Sequence, residues 1–172
     1  MEFSEIADAM YAADMSGADV HTNSWGYTDP NFFPDVHRDA IEDLAVNGRD
    51  GLGMSIMFAT GNDTRPVIWR SQTAIMPETS GVGALTNSGT LSGYSNYGPW
   101  VDFVAPSSGG SRRIFTTDIT GPTGYNSAQS SNGGDFTPNF GGTSAATPIA
   151  AGVLALVYSV NPELTADQVR RI

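Results

Sequence analysis

One serine in this chain has surroundings that suit a nucleophile. The run Gly141-Gly142-Thr143-Ser144-Ala145-Ala146-Thr147-Pro148-Ile149-Ala150-Ala151-Gly152 sets two glycines, which permit a tight turn, ahead of a serine that opens a long apolar helix. A serine placed there exposes its oxygen and puts its N–H at the positive end of the helix dipole, where it can help hold an oxyanion. Pro148 falls in the first turns, where a missing N–H costs least. The plainer reading of the same residues is a serine N-cap on a core helix, because Ser is a common cap. Thiol chemistry is excluded. The chain has no cysteine, so it has no disulfide framework, thiolate metal site or cysteine nucleophile. Its only histidines are His21 and His37.

Positioning such a serine needs a scaffold, and 172 residues with 40% hydrophobic content suffice for one domain. Residues 3–14 space Phe3, Ile6, Ala9, Met10 and Ala13 as a helix does. Gly17 breaks it, and Val20 to Trp25 reads as a short strand. Residues 35–47 predict a second helix, with Val36, Ala40, Leu44 and Val46 as apolar positions. Met54 to Ala59 is the compact run of a strand buried on both faces. Val82 to Leu85 and Val101 to Val104 are further short strands, and 107–141 reads as surface loops with one hairpin. Ala145 to Val160 is a buried helix, and Thr165 caps a last one. Helices alternating with apolar strands give an α/β fold with a mostly parallel sheet flanked by helices. The pattern starts inside one helix and stops inside another, so the domain is expected to be incomplete at both ends.

Net charge is -10, and all eight basic residues are arginine. Such a surface repels phosphate, so no nucleic-acid partner is expected. The longest near-apolar stretch, Ala145 to Val160, contains Thr147 and Pro148 and falls short of the ~20 residues of a membrane span, so no membrane partner is expected either. No basic stretch precedes an apolar run at the start, so no signal peptide is read there.

Gly-Thr-Ser-Ala-Ala-x-Pro followed by an Ala/Gly-rich helix resembles the nucleophile motif of the subtilisin-like serine peptidases. Other segments match in order. Ala59-Thr60-Gly61-Asn62 resembles the family's oxyanion-hole segment. Asn23-Ser24-Trp25-Gly26 is similar to its substrate-binding strand, most closely the kexin-like form. Gly81-Val82-Gly83-Ala84, Ser95-Asn96-Tyr97-Gly98 and Val101-Asp102-Phe103-Val104-Ala105-Pro106 follow the scaffold order. The resemblance implies serine-type endopeptidase chemistry on a polypeptide substrate, with Ser144 as nucleophile and the Asn62 amide with the Ser144 N–H as oxyanion hole. It implies that Ser24, Trp25 and Gly26 pair with an extended peptide. Ala59, Thr60 and Gly61 then wall the pocket for the residue before the cut. Taken alone, Gly61-Asn62 is a common turn pair, and Trp25 fits a core aromatic equally well. The resemblance also implies a secreted or extracytoplasmic setting.

Two parts of the family pattern are missing. The Asp-x-Gly and His-Gly-Thr motifs lie N-terminal to everything matched here, and neither His21 nor His37 has the flanking residues. Residues 1–172 are therefore expected to be the C-terminal portion of one catalytic domain, partnered by an N-terminal half that supplies the Asp and His. Loss of that half should leave apolar side chains of Val20–Trp25 and Met54–Ala59 exposed. The alternative is a non-catalytic peptide-binding module on the same fold. An α/β-hydrolase esterase is disfavoured, since it requires Gly-x-Ser-x-Gly with a later His and none follows Ser144. The chemistry needs no cofactor. Kexin-like members bind calcium through acidic residues. Asp29 matches one such position, but Asn96 stands where their pattern has Glu, so no metal ligand is assigned.

Overall fold

A computed structural model describes residues 3–27, 29, 31–69, 71–126 and 133–172. Helix α1 (Phe3–Met15) leads into strand β1 (Val20–Asn23), followed by α2 (Asp35–Gly51) and β2 (Ser55–Ala59). Two short 3-10 turns (Val67–Trp69, Thr73–Ile75) precede β3 (Thr79–Leu85) and β4 (Phe103–Pro106). A two-stranded hairpin of β5 (Ile114–Thr117) and β6 (Phe136–Phe140) leads into the long α3 (Thr143–Val160), and α4 (Ala166–Arg170) comes last.

The four main strands form one sheet in the order β1-β2-β3-β4, all parallel. Side chains alternate across β2, so its residues serve two cores. Met57 faces α3 and packs with Val82, Ala84, Ala105, Ala146, Ala150, Leu154 and Tyr158. Ile56 and Phe58 face the other way, with Met10 of α1, Ile41 and Leu44 of α2, and Val67. Alanines dominate the buried face of α3, which lets the helix lie close on the sheet. Thr165 and Gln168 form a reciprocal capping box that starts α4.

The sheet is the one the apolar runs predict, with shifted ends. β1 stops at Asn23, β3 begins three residues early at Thr79, and β4 lies two residues later than the Val101–Val104 run. The hairpin expected within 107–141 is β5–β6, paired antiparallel. Helix α3 begins at Thr143 on a Gly142 N-cap, so Ser144 is its second residue and not its cap. Exposure of β2 was expected and is not found. All five of its residues are buried, because β1 and β3 flank it and helices cover both faces.

One arginine ties these layers together. Helical geometry in α2 breaks at Gly48, and Arg49 and Asp50 take left-handed backbone at φ 53° and 56°. That conformation costs of order 1 kcal/mol or more per residue. It turns the Arg49 side chain inward, where only 5% of it is exposed. There it pairs with Asp19 at 2.7 Å and donates to the carbonyls of Gly53, Pro162 and Leu164. Its guanidinium lies 3.9 Å from the Tyr158 ring centroid. The turn after α2, the approach to β1 and the loop after α3 thus meet on one side chain.

Arg49→Ala should destabilise the fold by about 2 kcal/mol, because it removes a buried guanidinium that satisfies two part-buried carbonyls and packs on Tyr158. Lysine cannot reproduce the planar fork, so Arg49→Lys should recover less than half of that loss in urea unfolding. A second expectation concerns pH. His37 is fully buried, and desolvation holds its pKa below the ordinary 6.5. Burial also lowers His21, outweighing the hydrogen bond from Asn23. As pH falls through 6.5 the unfolded chain therefore takes up these protons before the folded chain does. Stability from this source should be full at about pH 7.5 and should decline toward about pH 5.5. His37→Phe should flatten that decline, as read from urea midpoints across the same range.

Candidate active site

The C-terminal ends of β1 and β2 and the N-terminus of α3 meet around one cavity of about 240 Å³. Its lining includes Ser24, Trp25, Gly26, Ala59, Gly61, Asn62 and Ser144. Seven of the eight residues singled out from the sequence therefore share one cavity. The eighth, Thr60, does not line it. Its side chain is fully buried and donates to the Val82 carbonyl at 3.1 Å, pinning β2 to β3 below the cavity. Tyr27, Asp63, Ser71 and Thr143 complete the wall, and none of these was anticipated.

The Asn62 side chain is oriented by what it accepts. Its Oδ1 takes the Thr143 N–H at 2.8 Å and the Thr143 hydroxyl at 3.1 Å. An amide has one acceptor end and one donor end, so this leaves its NH2 as the free donor. Thr143 Oγ1 in turn accepts the Gly61 N–H at 3.2 Å. Gly142 has φ +80°, and a Cβ there would meet the Asn62 amide at 3.3 Å. Only glycine allows that turn and that approach together. The Ser144 N–H, at the second helical position, is among the donors that no carbonyl of its own helix can reach.

The loop carrying Asn62 is held by Asn96, which is wholly buried. Asn96 donates to the Thr60 carbonyl at 2.8 Å and accepts the N–H groups of Asp63 and Arg65. On the other side, Ser107 donates to the Gly142 carbonyl at 2.7 Å, and the Gly142 N–H donates to Ser108. Tyr94 bonds both of those serines. Burial raises its phenol pKa, but its hydrogen bonds with Ser107, Ser108 and Ser92 outweigh that and bring it below 10.0. Nothing in the sequence marked Ser107, Ser108 or Tyr94, since their role is a matter of which loops converge. Asn96 is marked in the sequence by its place in Ser95-Asn96-Tyr97-Gly98 and by its departure from an acidic pattern, and neither points to a loop brace.

Trp25 packs on the core on one side and lines the cavity on the other. Its ring packs edge-on against Phe58, with centroids 5.4 Å apart, and the residue is still 37% exposed. Ser24 and Ser144 exchange hydrogen bonds, through Ser24 Oγ to the Ser144 carbonyl at 2.8 Å and Ser144 Oγ to the Ser24 carbonyl at 3.3 Å. Neither histidine lines this cavity. His37 packs behind it on Trp25 and Tyr27 and bonds the Tyr27 hydroxyl, and His21 lines a separate apolar hollow between α1 and β1.

Among the described residues no group of three or more His, Cys, Asp or Glu converges to hold a metal ion. The acidic pattern through which kexin-like proteins bind calcium is not reproduced at Asn96. Asn96 has committed both ends of its amide to the loop, and the Asp29 carboxylate accepts the Asn31 N–H at an exposed turn. No step of chemistry here runs through calcium.

Known proteins resemble this chain over almost its full length. The calcium-dependent protease of Trichormus variabilis is 39% identical, over 96% of this chain and 28% of that protein. Kexin from Candida albicans is 33% identical, over 98% of this chain and 17% of its own length. The chain thus spans less than a third of these relatives. Among solved structures, a cold-adapted subtilisin-like serine proteinase superposes at TM-score 0.68 with 25% identity, over 99% of this chain and 53% of its own. A serine protease of Aeromonas sobria shares the fold at TM-score 0.76 and 22% identity, over 95% and 35% of the two chains. The subtilase family model matches residues 1–172, and the chain belongs to the subtilase family.

Proposed function

We propose that this chain is the nucleophile-bearing portion of a serine-type endopeptidase acting on polypeptides. The observation that carries the reading is the shared cavity in which an oriented Asn62 amide, the start of α3 and the Ser144 hydroxyl converge. Ser144 Oγ attacks the scissile carbonyl carbon and passes its proton to a histidine base, which an aspartate orients. The carbonyl oxygen becomes an oxyanion between the Asn62 NH2 and the Ser144 N–H. Collapse expels the amine with the proton from the base, and water repeats the sequence on the acyl-enzyme. Residues 24–26 receive the substrate main chain beside β1, while Ala59 and Gly61 bound the pocket for the side chain before the cut. Thr60 supports that wall from beneath.

The base and its aspartate are assigned to an N-terminal portion of the same domain. Three features support this. Among the described residues, no strand pairs with the outer edge of β1, which ends the sheet. An apolar hollow of about 370 Å³ lies between α1 and that strand. The outer face of α3 carries Val153, Leu156 and Val160 at 55%, 68% and 87% exposure, on a helix apolar all round. A secreted setting is part of the reading, supported by similarity to an extracellular protease of Xanthomonas campestris. With a net charge of -10 and α3 laid on the sheet, nucleic acid and membrane are not proposed as partners.

A second reading, a peptide-binding module without catalysis, draws support from the complete burial of β2 by the chain's own residues. The two readings separate in one experiment. Residues 1–172 alone should show no practical proteolysis and little labelling by a fluorophosphonate. In subtilisin, a member of this family, loss of triad members leaves only about 10³–10⁴-fold catalysis over water, a figure carried over from that enzyme. The natural chain extended N-terminally should label at Ser144 and cleave peptides, and Ser144→Ala should end both. Asn62→Ala should cost about 10²–10³ in kcat, the loss known for one oxyanion donor in subtilisin. Peptide binding without labelling in the extended chain would establish the module instead. Strong activity from the bare 172 residues would overturn the assignment of the base to a missing half.

A further inference from the structure

The sixth residue of α3 is a proline, and its effect falls on the reactive serine. In an α-helix the carbonyl of residue i accepts the N–H of residue i+4. For Ser144 that donor would belong to residue 148, and Pro148 has none. A carbonyl released in this way seeks another partner. Ser24, 120 residues away in sequence, supplies it, with Oγ 2.8 Å from the Ser144 oxygen. The reverse bond, from Ser144 Oγ to the Ser24 carbonyl, is longer at 3.3 Å. That longer bond must break whenever Ser144 gives its proton to a base. The shorter one does not involve the Ser144 hydroxyl, so proton transfer does not require it to break.

We propose that Ser24 is a positioning residue for Ser144, acting through the carbonyl that Pro148 leaves free. The inference rests on Ser144 being the nucleophile. Its physical content is that the Ser24 hydroxyl holds the main chain of residue 144, and so sets where both the Oγ and the oxyanion-binding N–H point. Misplacing reacting groups by a fraction of an ångström is costly in rate even when binding is intact. This role belongs to the hydroxyl and is separate from the main-chain pairing of residues 24–26 with a peptide. Ser24 is exposed and its hydroxyl holds no core contact, so its loss should leave folding almost untouched.

The test uses the natural N-terminally extended chain, with a small fluorophosphonate and a peptide substrate. Ser24→Ala should lower kcat and the second-order labelling rate about tenfold, with KM and Tm nearly unchanged. Ser24→Thr keeps the hydroxyl and should recover most of the loss. Pro148→Ala restores an N–H to residue 148, so the helix can satisfy the Ser144 carbonyl itself. In that background Ser24→Ala should cost less than about twofold. An equal loss in both backgrounds, no loss in the native background, or a loss confined to KM would each overturn the proposal. If Pro148→Ala fails to fold, equal rates for Ser24→Ala and Ser24→Thr would overturn it instead. Ser144→Ala serves as the separate control: labelling that survives there sinks the nucleophile assignment, whatever Ser24 does.

Discussion

A hydrogen bond between the Asn62 side chain and the Thr143 N–H closes the site across 81 residues of sequence. It joins the loop after β2 to the first residue of α3. Each of the bonds in the small circuit of Gly61, Asn62 and Thr143 is worth about 1 kcal/mol net. Their larger effect is geometric. Spending the amide oxygen on Thr143 decides which end of Asn62 faces the cavity, and a flipped amide would offer the wrong polarity. Thr143 is wholly buried, so its hydroxyl must be satisfied, and it is both donor to Asn62 and acceptor from Gly61. The site is thus stabilised by burial of a residue that does no chemistry.

The parallel sheet is what brings those loops together. When all strands run the same way, the segments following them emerge on one side, and ligands of open α/β sheets bind there. Residues 24–26 follow β1, 60–63 follow β2, and Ser107 and Ser108 follow β4. Helix α3 begins at that same rim and runs back over the sheet. The close approach requires small residues, and Gly141 shows how close: a Cβ there would fall 2.1 Å from Ser108 Oγ. The glycines ahead of Ser144 are therefore needed for packing against two loops as well as for the turn.

The sequence was most legible where chemistry and local structure coincide. The apolar runs mark β2 and α3 because burial on one or both faces leaves a periodic imprint. Ser144 stands out because its flanking glycines and alanines are compressed into one motif. Thr60 lies outside the cavity because adjacent residues at a strand end point to opposite sides, and its hydroxyl turns to the Val82 carbonyl instead. Tyr94, Ser107 and Ser108 were invisible, and the bracing role of Asn96 was too, since a side chain that braces a distant loop carries no periodic signal. Exposure of β2 was overestimated for the same reason. Its position as the second strand of four, with helices on both faces, is a property of the whole topology.

Serine-peptidase catalysis divides into an electrostatic part and a proton-transfer part, and the groups proposed here from the described residues of the cavity serve the first. The proposed oxyanion donors are an amide fixed by a buried threonine and an N–H fixed by a helix, so neither needs a base to hold its orientation. The Ser144 hydroxyl differs. Its proton is directed at the Ser24 carbonyl over 3.3 Å, a long bond for a hydroxyl donor. A base entering the cavity must take over that proton, and a long bond to a neutral carbonyl is easily exchanged for a short one to an imidazole. The Ser144 carbonyl is gripped more tightly, at 2.8 Å, by a hydroxyl that has no role in the proton path. In the proposed reaction, the arrangement separates what must stay fixed, the main chain of residue 144, from what must be free to change partners, its Oγ–H.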